Sequence, residues 1–129
     1  MGSVKSQEGA RAELRFMEEA IARGFSVCRP FVDRAYDFLL EKQGRFCRVQ
    51  VKSTSIPAAK DGSFKFSTYR GASKSTKYTK DDIDVFAFYI GSLNSFYIVP
   101  VEKIDQVTIR IYPHKSDHAL SSFQGNWYI

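Results

Sequence analysis

The stretch Tyr36-Asp37-Phe38-Leu39-Leu40-Glu41-Lys42-Gln43-Gly44-Arg45-Phe46-Cys47-Arg48-Val49-Gln50-Val51-Lys52 decides how the rest of the chain is read. Gln43-Gly44 stands at its middle, and glycine accepts the positive φ that tight hairpin turns demand. A two-residue loop there pairs Glu41 with Phe46, Leu39 with Arg48 and Asp37 with Gln50. Facing residues share a side of the sheet, so Phe38 and Leu40 join Cys47 and Val49 on one apolar face. The other face collects Asp37, Gln50 and Lys52. A slip of one residue would mix the two sets, which argues against it. A slip of two keeps the faces and sets Asp37 opposite Lys52, so both pairings satisfy the sequence. In either, a carboxylate, an amide and an ammonium converge at one end of an apolar hairpin.

The plainest meaning of that convergence is a surface salt bridge between Asp37 and Lys52, which is worth little. The other is a metal-assisted phosphodiesterase site. A carboxylate fixes a hard divalent cation, which prefers oxygen ligands and keeps several waters. Such a cation polarises a phosphoryl oxygen and lowers the pKa of a bound water. A neighbouring lysine steadies the attacking group or the charge developing on phosphorus.

Asp37 followed, after a short hairpin, by Gln50-Val51-Lys52 resembles the PD-(D/E)XK nuclease motif, with Gln in the third acidic position. Upstream, Gly9-Ala10-Arg11-Ala12-Glu13, a helical run to Gly24-Phe25, then Val27 and Arg29-Pro30 are similar to archaeal Holliday-junction resolvases. The form Arg48-Val49-Gln50-Val51-Lys52 resembles the small group I intron-encoded PD-(D/E)XK homing endonucleases. The resemblance covers residues 8–52 and extends more loosely through residues 84–89 and 96–100. It implies an α/β fold with a mixed central β-sheet flanked by helices. It also implies hydrolysis of double-stranded DNA with Mg²⁺, Mn²⁺ serving as substitute, leaving a 5′-phosphate.

By the same resemblance Asp37 is the principal metal ligand and the carbonyl of Val51 a second. Glu13, at the matching Gly-x-x-x-Glu position, orients water or completes a second cation site, with Glu8 as the fallback. Lys52 activates the nucleophile or holds the phosphate. Gln50 stands where most relatives carry a carboxylate; an amide coordinates through oxygen but brings no charge. One site per chain and two strands per duplex imply a symmetric homo-oligomer, at least a dimer, and the intron-encoded relatives imply a tetramer. A junction resolvase, a restriction enzyme and a non-catalytic DNA-binding module are the rival readings, the last prompted by Gln50.

The 129 residues read as one domain, 1–129, with enough aromatic residues (15%) to supply a packed core. Lysine and arginine outnumber aspartate and glutamate by 19 to 14, giving a net charge of +5, which is compatible with a phosphate-bearing partner. No apolar run approaches a membrane span and the N-terminal stretch lacks a signal-peptide core, so an intracellular, cytoplasmic protein is expected. Cys28 and Cys47 read as two buried thiols.

A helix is expected from Gln7 to Arg23, with Ala10, Leu14, Met17 and Ile21 as its apolar stripe, Phe16 and Ala20 widening it, and Gly24 stopping it. On pattern alone the helical glutamates, Glu13 at the stripe's border included, read as solvated. Residues 25–29 make a short strand closed by Pro30, and Asp33 in the following bridge suits a turn better than a ligand. From Lys60 to Lys80 the chain turns basic: Lys60, Lys65, Arg70, Lys74, Lys77 and Lys80 face one acid, Asp61. Hydroxyls, Tyr69 and Tyr78 fill the gaps, and Phe64-Lys65-Phe66-Ser67 reads as a strand. This is the expected DNA-tracking segment, with Lys60, Lys65, Arg70, Lys74 and Lys77 on phosphates. Thr79-Lys80-Asp81-Asp82 looks like the N-cap of a short helix, and Asp82 and Asp84 suit turn and cap duty. Residues 85–90 form a central strand, 96–101 return as its hairpin partner, and 107–112 alternate as a half-exposed strand. His114 and His118 lack a third ligand at zinc spacing. Phe123 and Trp127-Tyr128-Ile129 are apolar enough to dock on the body or on another subunit.

Overall fold

The computed structural model describes residues 6–71 and 75–129. Helix α1 (Gln7–Ala22) begins at Ser6, whose side-chain oxygen accepts the Gly9 N–H at 3.0 Å, and stops before Gly24, where φ is +90°. Seven strands follow: β1 (Ser26–Cys28), β2 (Phe38–Lys42), β3 (Arg45–Thr54), β4 (Phe64–Ser67), β5 (Val85–Ile90), β6 (Ser95–Pro100) and β7 (Thr108–Ile111). Five of them form a mixed sheet in the order β1-β2-β3-β5-β6, antiparallel except for the parallel pair β3 and β5. Strands β4 and β7 form a separate antiparallel ribbon.

The hairpin takes the two-residue turn. Glu41 faces Phe46 and Phe38 faces Val49, and Gln43 and Gly44 both adopt positive φ, 55° and 77°. That is the turn whose twist matches paired strands. The register that sets Asp37 at the level of Gln50, rather than Lys52, is the one adopted.

Two apolar layers sandwich the sheet. On one side Phe38, Leu40, Cys47, Val49, Val51, Val85, Ala87 and Tyr89 pack under α1. On the other, Phe86, Phe88 and Ile90 pack under Phe64 and Phe66 of the ribbon, the rings of Phe66 and Phe88 lying 4.9 Å apart. Strand β5 is buried on both faces, as its unbroken apolar run requires. Pairing β3 with β5 in parallel requires a crossover, and the basic segment with β4 provides it.

Three expectations are corrected. First, the buried side of α1 is Ala12, Glu13, Phe16 and Ala20, not the stripe through Leu14 and Ile21, which are 60% and 61% exposed. Phe16 decides the rotation: it stacks on Phe38 at 5.5 Å and Trp127 at 5.3 Å, while Ala12 and Ala20 on either side let the helix lie close to the sheet. Second, Cys28 is exposed whereas Cys47 is buried, its thiol pushed up to about 12 chiefly by burial. Strand β1 is a three-residue edge, and alternation turns Val27 to the core and Cys28 away. Third, Thr79 starts a single turn and no helix. The Asp82 carboxylate accepts the Thr79 N–H at 2.9 Å, and Arg48 donates to the carbonyls of Lys80 and Asp81 at 2.6 and 3.0 Å. Those are acceptors that a further helical turn would need.

Arg48 is itself held by Asp84. The Asp84 carboxylate accepts the Arg48 backbone N–H at 2.7 Å and its guanidinium at 3.1 Å. Burial opposes ionisation of Asp84, but the hydrogen bonds and charge of Arg48 outweigh it and hold the carboxyl below its usual range. Asp82 and Asp84 therefore do cap and strand-entry work at the start of β5.

Candidate active site

The site forms where β2 stops short of its partner. Asp37 is the residue just before β2; its N–H donates to the Val49 carbonyl at 2.8 Å, and its Oδ2 accepts the Val51 N–H at 2.8 Å. A carboxylate thus stands in for the backbone carbonyl that a longer β2 would have offered. Because the N–H and C=O of one residue point to the same edge of a strand, the Val51 carbonyl also faces this gap.

Gln50 and Lys52 flank Val51, and alternation puts both on the ribbon side, Gln50 beside Phe86 and Lys52 beside Phe88. The Lys52 ammonium lies 5.6 Å from the centre of the Tyr78 ring, and Tyr78 packs edge-on against Phe86 at 5.4 Å. Desolvation pulls the Lys52 pKa below that of a free lysine, and the Asp37 charge offsets part of the shift. Burial, followed by the Asp37 charge, raises the Tyr78 hydroxyl. Lys52 and Tyr78 therefore both feel the charge of Asp37.

An open groove of about 510 Å³ runs over this end of the sheet, lined by Asp33, Arg34, Ala35, Asp37, Gln50, Arg70, Gly71 and Tyr78. Arg70 is held there by Asp82, Nη1 to Oδ1 at 2.7 Å. Of the expected DNA contacts, Arg70 alone lines the groove; Lys60, Lys65 and Lys77 are exposed elsewhere on the basic segment, and Lys74 lies outside the described residues. Lys65 faces Arg110 across the β4–β7 ribbon, a pairing that adds a basic side chain from far along the chain.

Glu13 lies on α1, on the opposite side of the sheet from Gln50 and Lys52, and does not line the groove. It is 8% exposed, and Arg29 Nη2 donates to its Oε1 at 2.9 Å while the same guanidinium lies 5.3 Å from the centre of the Phe38 ring. The helical pattern that reads Glu13 as solvated is overturned, since the rotated stripe carries it inward. Glu8 is placed differently: exposed at the start of α1, it accepts a hydrogen bond from Ser55 at 2.7 Å.

Sequence reasoning gave Asp33 a turn role and set Tyr78 aside, and it did not single out Arg34 or Ala35; all four line the groove. Tyr78 belongs to a segment 26 residues past Lys52, and nothing in its neighbours marks it.

A sequence profile of the PD-(D/E)XK endonuclease family matches residues 4–127. The chain belongs to that family. Comparison with curated proteins finds no significant match. Among solved structures, the bacterial homing endonuclease I-Ssp6803I shares the fold at a TM-score of 0.81 and 24% identity, over 98% of this chain and 92% of that one. A PD-(D/E)XK endonuclease is a hydrolase of DNA, and the expected mixed-sheet fold is the observed one.

Members of the family generally use divalent metal ions, and the donors present here fit one. Asp37, the Gln50 amide oxygen and the Val51 carbonyl would offer hard oxygen donors at one end of two strands. Among the described residues no three His, Cys, Asp or Glu side chains gather into a closed cage. One carboxylate with neutral oxygens suits a cation that keeps much of its water and shares the substrate's phosphate.

Proposed function

We propose that this PD-(D/E)XK endonuclease is a site-specific enzyme of the homing type, cutting double-stranded DNA with Mg²⁺, or with Mn²⁺ in its place. The observation that carries the proposal is the Asp37 carboxylate held on the Val51 N–H, between Gln50 and Lys52 on the neighbouring strand, beside an open groove that Asp37 and Gln50 line. The likeness to a bacterial homing endonuclease along nearly the whole chain supports the choice of type.

The groove admits a phosphodiester between the Arg34 and Arg70 walls. Asp37, Gln50 and the Val51 carbonyl hold the cation, which supplies Lewis acidity at the phosphoryl oxygen and a more acidic water. Lys52, partly stripped of solvent, takes a proton from the attacking water when it is the neutral amine, or balances charge on the phosphate when it is the ammonium. Glu13, held by Arg29, orients water from the helix side. An intracellular, cytoplasmic location goes with such a substrate.

A homo-oligomer, dimer or tetramer, is part of the proposal. One groove per chain meets one strand of a duplex. Leu14 and Ile21, two turns apart and both exposed on the outer side of α1, supply apolar surface for the contact.

The test is cleavage of a randomised linear duplex library and of a four-way junction, with Mg²⁺ and with Mn²⁺, followed by sequencing of the ends. The expected result is one long preferred site in the linear library. Preference for the junction would make the enzyme a resolvase, and binding without cutting under both metals would make it a DNA-binding module. Gln50 yields a second expectation. Gln50→Glu restores a charged ligand and should lower the Mg²⁺ concentration for half-maximal cleavage by about tenfold. An unchanged metal titration would remove Gln50 from the ligand set.

A further inference from the structure

The loop between β1 and β2 leaves a large aromatic side chain with nothing to cover it. Phe31 is fully exposed (104%), and its neighbour Val32 is 54% exposed. Both line a cavity of about 180 Å³ with Arg29, Asp33, Arg34, Tyr36 and Asp37. Asp33, Arg34 and Asp37 line the catalytic groove as well, so the two concavities meet at Asp37. Among the described residues Arg34 Nη1 donates to the carbonyl of Asp33, its own neighbour, at 3.1 Å. The loop therefore sets an uncovered apolar tip in the cavity that adjoins Asp37, with Arg34 in the same lining and Arg29 held by Glu13.

Single exposed apolar residues are ordinary. Position distinguishes this one. An aromatic tip in the cavity beside a phosphodiesterase groove, with Arg34 lining both, has the makeup of a DNA wedge: the cation takes a phosphate and the ring packs against an unstacked base step. Arg34 and Arg70 line the groove with Asp33 and Asp37, and together with the cation that Asp37 would bind and the net charge of +5 they suit a polyanion better than a second copy of this basic chain.

We infer that Phe31 is a specificity-determining wedge that packs against the base step flanking the scissile phosphate, with Arg34 on the adjoining phosphate. The inference rests on the reading of the groove as a DNA-cleaving site, and it adds the residue that deforms the substrate there. Deformable pyrimidine–purine steps would then be preferred at the cut, because they unstack at least cost.

The experiment uses the site found in the linear library. Phe31→Ala should slow single-turnover cleavage roughly ten- to hundredfold, the range set by base–aromatic stacking. Phe31→Trp should keep most of the rate. In an Asp37→Asn background, which holds DNA uncut, 2-aminopurine placed at the flanking step should brighten with Phe31 and stay quenched with Phe31→Ala. Full cleavage by Phe31→Ala, or brightening that survives it, would overturn the inference while leaving the endonuclease reading intact. A fall in oligomer size with Phe31→Ala, seen by sedimentation, would also overturn it in favour of a subunit contact. If the wild-type protein cuts no DNA at all, the endonuclease reading fails first and the wedge with it.

Discussion

Asp37→Asn should reduce DNA cleavage by about three orders of magnitude while leaving the fold and DNA binding in place. The amide is isosteric and its oxygen still accepts the Val51 N–H, so the strand end keeps its hydrogen bond. What disappears is the charge. A carboxylate that fixes a cation supports several kcal/mol of transition-state stabilisation, and each 1.36 kcal/mol is tenfold, so a loss of about 1,000-fold follows. Single-turnover rates beside a binding titration give the measurement. Loss of binding in step with cleavage would point to a structural role instead. Lys52→Met belongs to the same test, since methionine keeps much of the packing beside Tyr78 and removes the ammonium.

The lowered pKa of Lys52 also makes a statement about pH. Desolvation favours its neutral form, so if neutral Lys52 takes the proton, cleavage rises with pH and levels off below the ordinary lysine value of 10.5. Stability follows the same group. Between the folded and the unfolded pKa the unfolded chain binds more protons, so stability rises with pH across that window. Below the folded pKa the cost of holding the charged ammonium in its partly buried site is present in full. Lys52→Met should remove that pH dependence.

Phe16→Ala should be the most damaging single change to stability, at about 3–5 kcal/mol. The ring is fully buried, stacked on Phe38 and Trp127 and edge-on to Phe96 at 5.8 Å. Its neighbours cannot collapse into the space, because Ala12 and Ala20 already bring the helix against the sheet. Urea denaturation gives the number. Leu14→Ala, at concentrations where the chain is monomeric, should cost less than about 0.5 kcal/mol. Similar losses at both positions would mean that α1 docks by the other face.

The contrast between Phe16 and Leu14 marks how far the sequence can be read. Helical period locates α1 and both its ends, but the count of apolar residues favours the stripe through Leu14 and Ile21. What turns the helix is Trp127, more than 100 positions downstream, and no local pattern carries that contact. Glu13 is moved by the same rotation, from an expected solvated face to a buried one. Likewise Thr79 carries a sound N-cap signal, yet Arg48 takes the carbonyls that a longer helix would use.

The hairpin, by contrast, is legible in its turn and in the face each side chain takes. Period-two alternation and one Gly-bearing turn put Asp37, Gln50 and Lys52 on a common side before any coordinates, because a one-residue slip would bury charge and expose core. Tertiary structure alone decided between the two registers that alternation leaves open, and it set Tyr78 against Lys52, Arg70 and Arg34 in the lining of one groove, and Phe31 in the cavity that adjoins it. Local pattern settles which face a side chain takes. Which distant residue it meets there depends on packing between segments, and that is written in no single stretch of the chain.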